Sequence, residues 1–233
     1  DPFIAAEKIK SLAPDVLTLD IEMPRMDGIT FLSKLMIARP MPVIMVSAFT
    51  DKGATATIKA MEAGAVDFIL KPGAEGGPAE WASFGKDLTE KIRVAAEVHV
   101  RRKEGKSQPI LKKETKKLVN SQPSPFVVAI GASTGGTEVI TQILTSLGES
   151  TPGIVITQHM PPKFTAAFAE RIDSMSRITV KEAENGDRVL VGHAYIAPGG
   201  MQMLLHSDAE GYWIEVNDDP PVNRHKPSVD VLF

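Results

Sequence analysis

Ser133 lies in a glycine-flanked segment that could present a nucleophile. It stands between Gly131 and Gly135, after the apolar run 126–130 and before 139–147, where apolar residues recur at helical spacing. A turn between strand and helix lifts a hydroxyl clear of its neighbours and aims the first helical N–H groups at whatever the hydroxyl attacks. The Gly-x-Ser-x-Gly spacing is typical of a nucleophile elbow. A tight turn of small residues and a glycine-rich phosphate cradle remain alternatives.

His159 is the candidate base for this hydroxyl. The apolar run 153–157 predicts a second strand, and His159 follows it closely. The segment is thus a strand–helix–strand unit with parallel strands, and neighbouring strands lie about 4.8 Å apart. A hydroxyl beside an imidazole is the nucleophile–base pair of acyl transfer. In α/β-hydrolases the histidine follows the acid, so the order found here indicates a different fold.

A carboxylate should complete the pair, but the sequence does not identify it. None of the aspartates considered is marked by its context: Asp187, Asp208, Asp218, Asp219 and Asp230. Three histidines, His99, His193 and His206, are expected to be structural or exposed. The run Asn223-Arg224-His225 could hold an anionic or amide group of a substrate. A capped polar loop before a helix explains that run equally well.

Three polar residues of the N-terminal half each follow a predicted strand. Asp20 follows the run 16–19, Ser47 follows 42–46 and Lys71 follows 66–70. Helices are expected over 28–36, 57–63 and 79–102, and one opens the chain. This alternation predicts a parallel sheet with its ligand site at the carboxyl ends of the strands. There Asp20 could accept a phosphoryl group, with Ser47 and Lys71 contacting its oxygens.

Composition indicates an ordinary globular protein. The 233 residues are 43% apolar and 24% charged, with a net charge of −3, so nothing favours binding to nucleic acid or an anionic membrane. The absence of cysteine excludes disulfides and a Cys nucleophile, and it is consistent with a cytoplasmic location. No apolar run approaches the roughly 18 residues of a membrane span, so membrane insertion is not expected.

We predict two doubly wound parallel-sheet α/β domains, the first flavodoxin-like and the second Rossmann-like. Their bounds are 1–103 and 125–233, joined by a linker over 104–124. Residues 101–117 contain eight Lys or Arg and two Glu, which is typical of a solvated linker, although they could form a basic patch for an acidic partner. The chain opens and closes inside an element, so we expect a piece of a longer protein with both domains incomplete.

The N-terminal motifs resemble the receiver domain of two-component response regulators over about residues 1–103. The matching residues are Asp20, Met23-Pro24, Asp27-Gly28, Ser47 and Lys71-Pro72. The resemblance implies that a histidine kinase phosphorylates Asp20 with Mg²⁺, that Ser47 is the switch hydroxyl and that Lys71 binds the phosphate. The family's acidic pair belongs to a strand missing here, which leaves the Asp20 carboxylate and the Glu22 carbonyl as metal ligands.

The C-terminal motifs resemble the catalytic domain of chemotaxis protein-glutamate methylesterases, which also follows a receiver and a linker. The matching segments are 130–136, 157–161, 194–199 and 220–225. The resemblance implies a cytoplasmic enzyme that demethylates receptor glutamates and deamidates particular glutamines without a cofactor. Ser133 is then the nucleophile, His159 the base and the Thr134 backbone N–H part of the oxyanion hole. The triad aspartate is expected beyond Phe233.

The rival interpretation is a receiver fused to a binding module without hydrolase activity. In that case residues 131–136 would cradle a nucleotide phosphate. No lysine follows the glycines as a P-loop requires, and no helix-turn-helix with a basic face is evident.

Overall fold

The computed structural model describes residues 1–48, 50–73, 75–100 and 122–233. The chain divides into two compact units, Asp1–Lys106 and Ser107–Phe233. None of the helices among the described residues combines the length and the hydropathy that crossing a bilayer requires.

The first unit is a three-stranded parallel sheet with helices between its strands. Its elements are α1 (Pro2–Leu12), β1 (Leu17–Asp20), α2 (Gly28–Ala38), β2 (Val43–Ser47), α3 (Asp51–Glu62), β3 (Asp67–Leu70) and α4 (Pro78–Ala96). The strand order is β1-β2-β3. Part of the core lies between the sheet and α4, where Ile44, Ile69 and Ala95 are buried together. The predicted parallel α/β architecture is confirmed.

Side-chain caps explain where two of these helices begin. Asp27 accepts a hydrogen bond from the Thr30 N–H at 2.9 Å, and Thr50 accepts one from the Gly53 N–H at 2.9 Å. Because of the Thr50 cap, α3 begins at Asp51, earlier than the predicted start at residue 57. The prediction for the last helix is wrong at its end, since α4 stops at Ala96 and not at residue 102.

The second unit contains a parallel sheet and an antiparallel hairpin. Its elements are β4 (Val127–Ala132), α5 (Gly136–Ser146), β5 (Gly153–Gln158), α6 (Phe164–Met175), β6 (Thr179–Glu182), β7 (His193–Ile196), β8 (Gln202–Asp208), β9 (Gly211–Asn217) and α7 (Val229–Leu232). The parallel strands follow the order β4-β5-β7-β6, and β8 pairs with β9. Every residue of β5 is buried, so this strand runs through the core.

The linker predicted over 104–124 lies outside the described residues up to residue 121, as does the basic run 101–117. Its last three residues are described. The Ser124 N–H donates to the Val189 carbonyl at 2.9 Å, and the Ser124 hydroxyl accepts from the Gly153 N–H at 2.8 Å. Pro123 also bridges to Leu190. Pro123 and Ser124, at the end of the predicted linker, therefore contact the second unit.

Candidate active site

Strand register brings Ser133 and His159 to the same edge of the second sheet. The strands β4 and β5 are parallel neighbours, and Ala132 pairs with Gln158 at their carboxyl ends. Ser133 and His159 each follow one member of that pair. The His159 N–H donates to the Ala132 carbonyl at 3.1 Å, which extends the pairing by one residue. Adjacent strands, on which the predicted nucleophile–base pair depends, are therefore observed.

The turn that carries Ser133 is held from two sides. Its carbonyl accepts hydrogen bonds from the Gly136 N–H at 2.9 Å and from the side-chain amide of Gln158 at 3.0 Å. Gly135 has φ 79°, a left-handed conformation that favours glycine, and α5 begins at the next residue. The Ser133 side chain is exposed. The turn is thus a fixed platform with an accessible hydroxyl at the N-terminus of a helix.

His225 stacks on His159. The two imidazole rings have centroids 3.7 Å apart and lie within 8° of parallel. His225 ends a tight turn in which Val222 and His225 exchange both backbone hydrogen bonds, at 3.1 and 2.9 Å. The central residues Asn223 and Arg224 have φ of 49° and 69°, as a type I′ turn requires. The structure thus brings His225 to the candidate base, while Asn223 and Arg224 are exposed at the tip.

Asp230 is an aspartate within electrostatic reach of His159. Its carboxylate accepts hydrogen bonds from the Asn223 amide at 2.9 Å and the Ser228 hydroxyl at 3.4 Å. The bond from Asn223 is the main reason that the pKa of Asp230 lies below its usual value, and the charge of His159 lowers this pKa further. Three other aspartates form ion pairs: Asp187 with Lys181, Asp208 with Arg188 and Asp218 with Lys226.

The remaining histidines lie elsewhere. His193 begins β7, is buried and contacts the Val191 carbonyl through Nδ1 at 3.0 Å. His206 pairs with Glu215 at 2.7 Å and stacks on Trp213 within the hairpin. His99 is exposed and follows the end of α4, so its predicted place inside that helix is wrong.

Sequence reasoning misses two glutamines that shape this region. Gln158 supports the Ser133 turn, and Gln202 contacts the segment that carries His225. Both are buried although glutamine is usually exposed. In the sequence, each of these glutamines is recognisable only as a polar residue in or beside an apolar strand. That pattern does not reveal which group the amide binds.

The three polar residues of the first unit share one sheet edge. Asp20 and Ser47 end the neighbouring strands β1 and β2, and the Lys71 N–H just after β3 donates to the Ser47 carbonyl at 2.8 Å. The Lys71 ammonium forms an ion pair with the Asp20 carboxylate. The Ser47 hydroxyl is buried, where it donates to the Ala48 carbonyl at 3.3 Å and accepts from Thr57 at 3.0 Å. The structure thus brings the three predicted residues together at one edge of the sheet.

The oxygen ligands expected for Mg²⁺ form only part of a site. The Asp20 carboxylate is partly exposed and accepts from the Glu22 N–H at 3.1 Å, which fixes the carboxylate beside that backbone. The described residues contain no group of three or more His, Cys, Asp or Glu side chains suited to a metal ion. Mg²⁺ takes six oxygen ligands and usually keeps several waters, so Asp20 and the Glu22 carbonyl fit it and would supply part of its coordination.

Two family models match the chain. The response regulator receiver domain matches residues 1–76, and the CheB methylesterase domain matches residues 128–233. The first match contains Asp20, Ser47 and Lys71, and the second contains Ser133, His159 and His225.

Named relatives agree with these matches. The protein-glutamate methylesterase/protein-glutamine glutaminase 1 of Geobacter metallireducens is 50% identical over 241 residues, and the protein-glutamate methylesterase/protein-glutamine glutaminase of Salmonella typhimurium is 51% identical over 235 residues. Each alignment covers 100% of this chain, which spans 66% and 65% of the two relatives. The solved catalytic domain of Thermotoga maritima CheB methylesterase is 39% identical over 48% of this chain and 58% of that chain, with a TM-score of 0.44. The chain therefore belongs to the CheB methylesterase family and carries a response regulator receiver domain in its N-terminal part.

Proposed function

We propose that this chain is the receiver and a large part of the catalytic domain of a phosphorylation-regulated hydrolase. The hydrolase removes methyl esters from glutamates of chemotaxis receptors and deamidates specific glutamines on them. One observation carries the proposal: Ser133 and His159 follow paired residues of adjacent parallel strands. The names of the relatives, each about 50% identical to this chain, supply protein glutamate esters and protein glutamines as substrates, and the resemblance to chemotaxis methylesterases supplies the receptors.

The proposed mechanism begins with proton transfer. His159 takes the proton of the Ser133 hydroxyl while the oxygen attacks the ester carbonyl of a methylated glutamate. The backbone N–H of Thr134 and the N-terminus of α5 stabilise the oxyanion, where the helix dipole also favours negative charge. The imidazolium then returns its proton to the leaving methanol. Water, activated by the same imidazole, cleaves the acyl-enzyme and releases the glutamate. A glutamine substrate loses ammonia by the same route.

We assign substrate contacts to the turn 222–225. Asn223 and Arg224 are exposed at its tip, while the His225 ring lies against His159. A guanidinium forms bidentate hydrogen bonds with carboxylates, so Arg224 suits a substrate segment rich in glutamate. The His225 ring covers one face of the base and keeps solvent from it.

Regulation is assigned to the first unit. A chemotaxis histidine kinase transfers phosphate to Asp20 with Mg²⁺, and the new phosphoryl oxygens attract Lys71 and Ser47. In the proposed arrangement the receiver spans 1–103 and restrains the catalytic domain, from about 122 onward, until Asp20 is phosphorylated. The two proposed partners are the chemotaxis receptors and the histidine kinase, and both imply that the protein acts in the cytoplasm. The proposal involves no nucleic acid and no insertion into the membrane.

The experiment is methanol release from methylated receptors by the full-length protein. We expect turnover that Ser133→Ala abolishes and that a small phosphodonor stimulates. The matched control is Ser146→Ala, which removes an exposed hydroxyl at the end of α5. This change should leave turnover unaltered. Methanol release that survives Ser133→Ala would contradict the proposal. Binding of a nucleotide through its phosphate, without methanol release, would favour the alternative of a receiver fused to a binding module.

A further inference from the structure

Gln202 makes an unusual set of contacts for a side chain outside the proposed reaction. It is the first residue of β8 and is 1% exposed. Its amide nitrogen donates to the Pro220 carbonyl at 3.1 Å and contacts the His225 carbonyl at 3.4 Å. Its amide oxygen accepts from the Ser228 N–H at 2.9 Å. One buried side chain therefore bonds to three backbone groups of a single segment.

The three backbone partners surround the turn that carries His225. Pro220 precedes the turn 222–225, His225 closes it and Ser228 lies shortly beyond it. A change in the position of the Gln202 amide therefore moves the base of the turn and not only its tip. Because the amide is buried, each lost bond leaves an unsatisfied polar group, which makes the arrangement costly to abandon.

Three further contacts hold the same segment. At the tip, the Asn223 amide donates to Asp230. At the base, the Gly200 N–H donates to the Lys226 carbonyl at 3.1 Å, and the Lys226 ammonium forms an ion pair with Asp218. The contacts of Asn223 and Asp218 are exposed, whereas the Gln202 amide is buried and bonds to the segment on both sides of the turn.

The turn in turn fixes the ring contact between His225 and His159. The rings are 3.7 Å apart and almost parallel, so a small rotation of the turn would remove the overlap. Catalytic groups displaced by about 1 Å can lose on the order of 100-fold in rate. The overlap of the two rings therefore depends on the backbone segment that the Gln202 amide holds.

We infer that Gln202 is a positioning residue for the proposed hydrolysis. Its buried amide holds the 220–228 segment so that His225 lies flat against His159 and keeps that imidazole directed at Ser133. The inference rests on the proposed function, but the ring contact itself can be tested without turnover.

The test uses the full-length protein with ¹³C-labelled histidine rings. Gln202→Glu keeps the acceptor and removes both donor contacts, and Gln202→Met keeps the length and removes all three. The matched control is Ser124→Ala, which breaks a buried side-chain tie at the start of β5, the opposite end of the strand from His159. Spectra with native dispersion establish that each variant is folded. If the buried charge prevents Gln202→Glu from folding, Gln202→Met alone provides the test.

The first readout is the nuclear Overhauser effect between the two rings, and the second is the rate at which a fluorophosphonate labels Ser133. We expect both Gln202 variants to lose the ring contact and to label about 10- to 100-fold more slowly, with Ser124→Ala unchanged in both. A retained ring contact would overturn the inference, as would its loss without slower labelling. Equal losses in Ser124→Ala would attribute the effect to general destabilisation and overturn it too. If the unsubstituted protein is not labelled, the proposed function fails, and the ring contact still decides whether Gln202 holds the turn.

Discussion

Gly136→Ala should destabilise the Ser133 turn even though alanine favours helices. Gly136 begins α5, where helix propensity alone predicts a gain of up to about 1 kcal/mol. A Cβ at this position would lie 2.3 Å from the Gln158 amide oxygen and 2.6 Å from the Ala132 Cβ. Since ordinary contact begins near 3.4 Å, the amide would have to move by about 1.1 Å. Such a movement breaks its hydrogen bond to the Ser133 carbonyl.

The opposing effects can be compared in magnitude. Overpacking costs about 1–3 kcal/mol, and the lost hydrogen bond costs about 1 kcal/mol more. The net loss in free energy of unfolding is therefore about 1–3 kcal/mol after the helix gain. The displaced turn should also lower the rate at Ser133 by at least about tenfold.

The assay is denaturant unfolding of the second unit, followed by Trp213 fluorescence in a Trp81→Phe background, together with methanol release. The matched control is Gly85→Ala within α4, because a Cβ there meets nothing within 4 Å. The control should stabilise the first unit by up to about 1 kcal/mol and leave methanol release unchanged. A Gly136→Ala protein as stable and as active as the parent would refute the steric reasoning.

In the full-length protein, His159→Ala and Ser133→Ala should each lower kcat for methanol release by on the order of 10³-fold or more, because the pair acts as one unit. A small loss of kcat in His159→Ala together with a large loss in His225→Ala would assign the role of base to His225. Asp20→Asn should abolish stimulation by a small phosphodonor and leave basal methanol release, and a variant that still responds would contradict the assignment. Burial raises the pKa of Tyr195 from about 10 to about 12, so only the unfolded state ionises between these values. The free energy of unfolding should therefore fall between about pH 10 and about pH 12. An equal fall over the same pH range in Tyr195→Phe would contradict this cause.

Local sequence signals predict the first unit well. Short runs of β-branched and other apolar residues end at Asp20 and Ser47, and parallel strands place those ends at one edge. The start of α3 is missed because the Thr50 cap is a single side-chain contact ahead of the apolar pattern. The overextended end of α4 has the opposite cause, since charged residues continue a helical pattern without any stop signal.

The Ser133 and His159 arrangement is predictable for the same reason, because one strand–helix–strand unit fixes both strand ends. The contact between His159 and His225 is not predictable in this way. It depends on a turn far along the chain and on the Gln202 amide beneath it, and neither has a periodicity that points to its partner. Hydropathy also treats Gln158 and Gln202 as surface residues, whereas the amide nitrogen of Gln158 and the whole amide of Gln202 bond to backbone groups in the core.

The most direct test of the proposed active site is covalent labelling of the full-length protein by a fluorophosphonate, with the modified residue identified by peptide mass spectrometry. We predict a single adduct on Ser133, formed at least about 10³-fold more slowly in His159→Ala, with receptor demethylation lost in proportion to the labelled fraction. Demethylation that persists after complete labelling of Ser133, or an adduct on another residue that accounts for the loss, would contradict the assignment of Ser133 as the nucleophile.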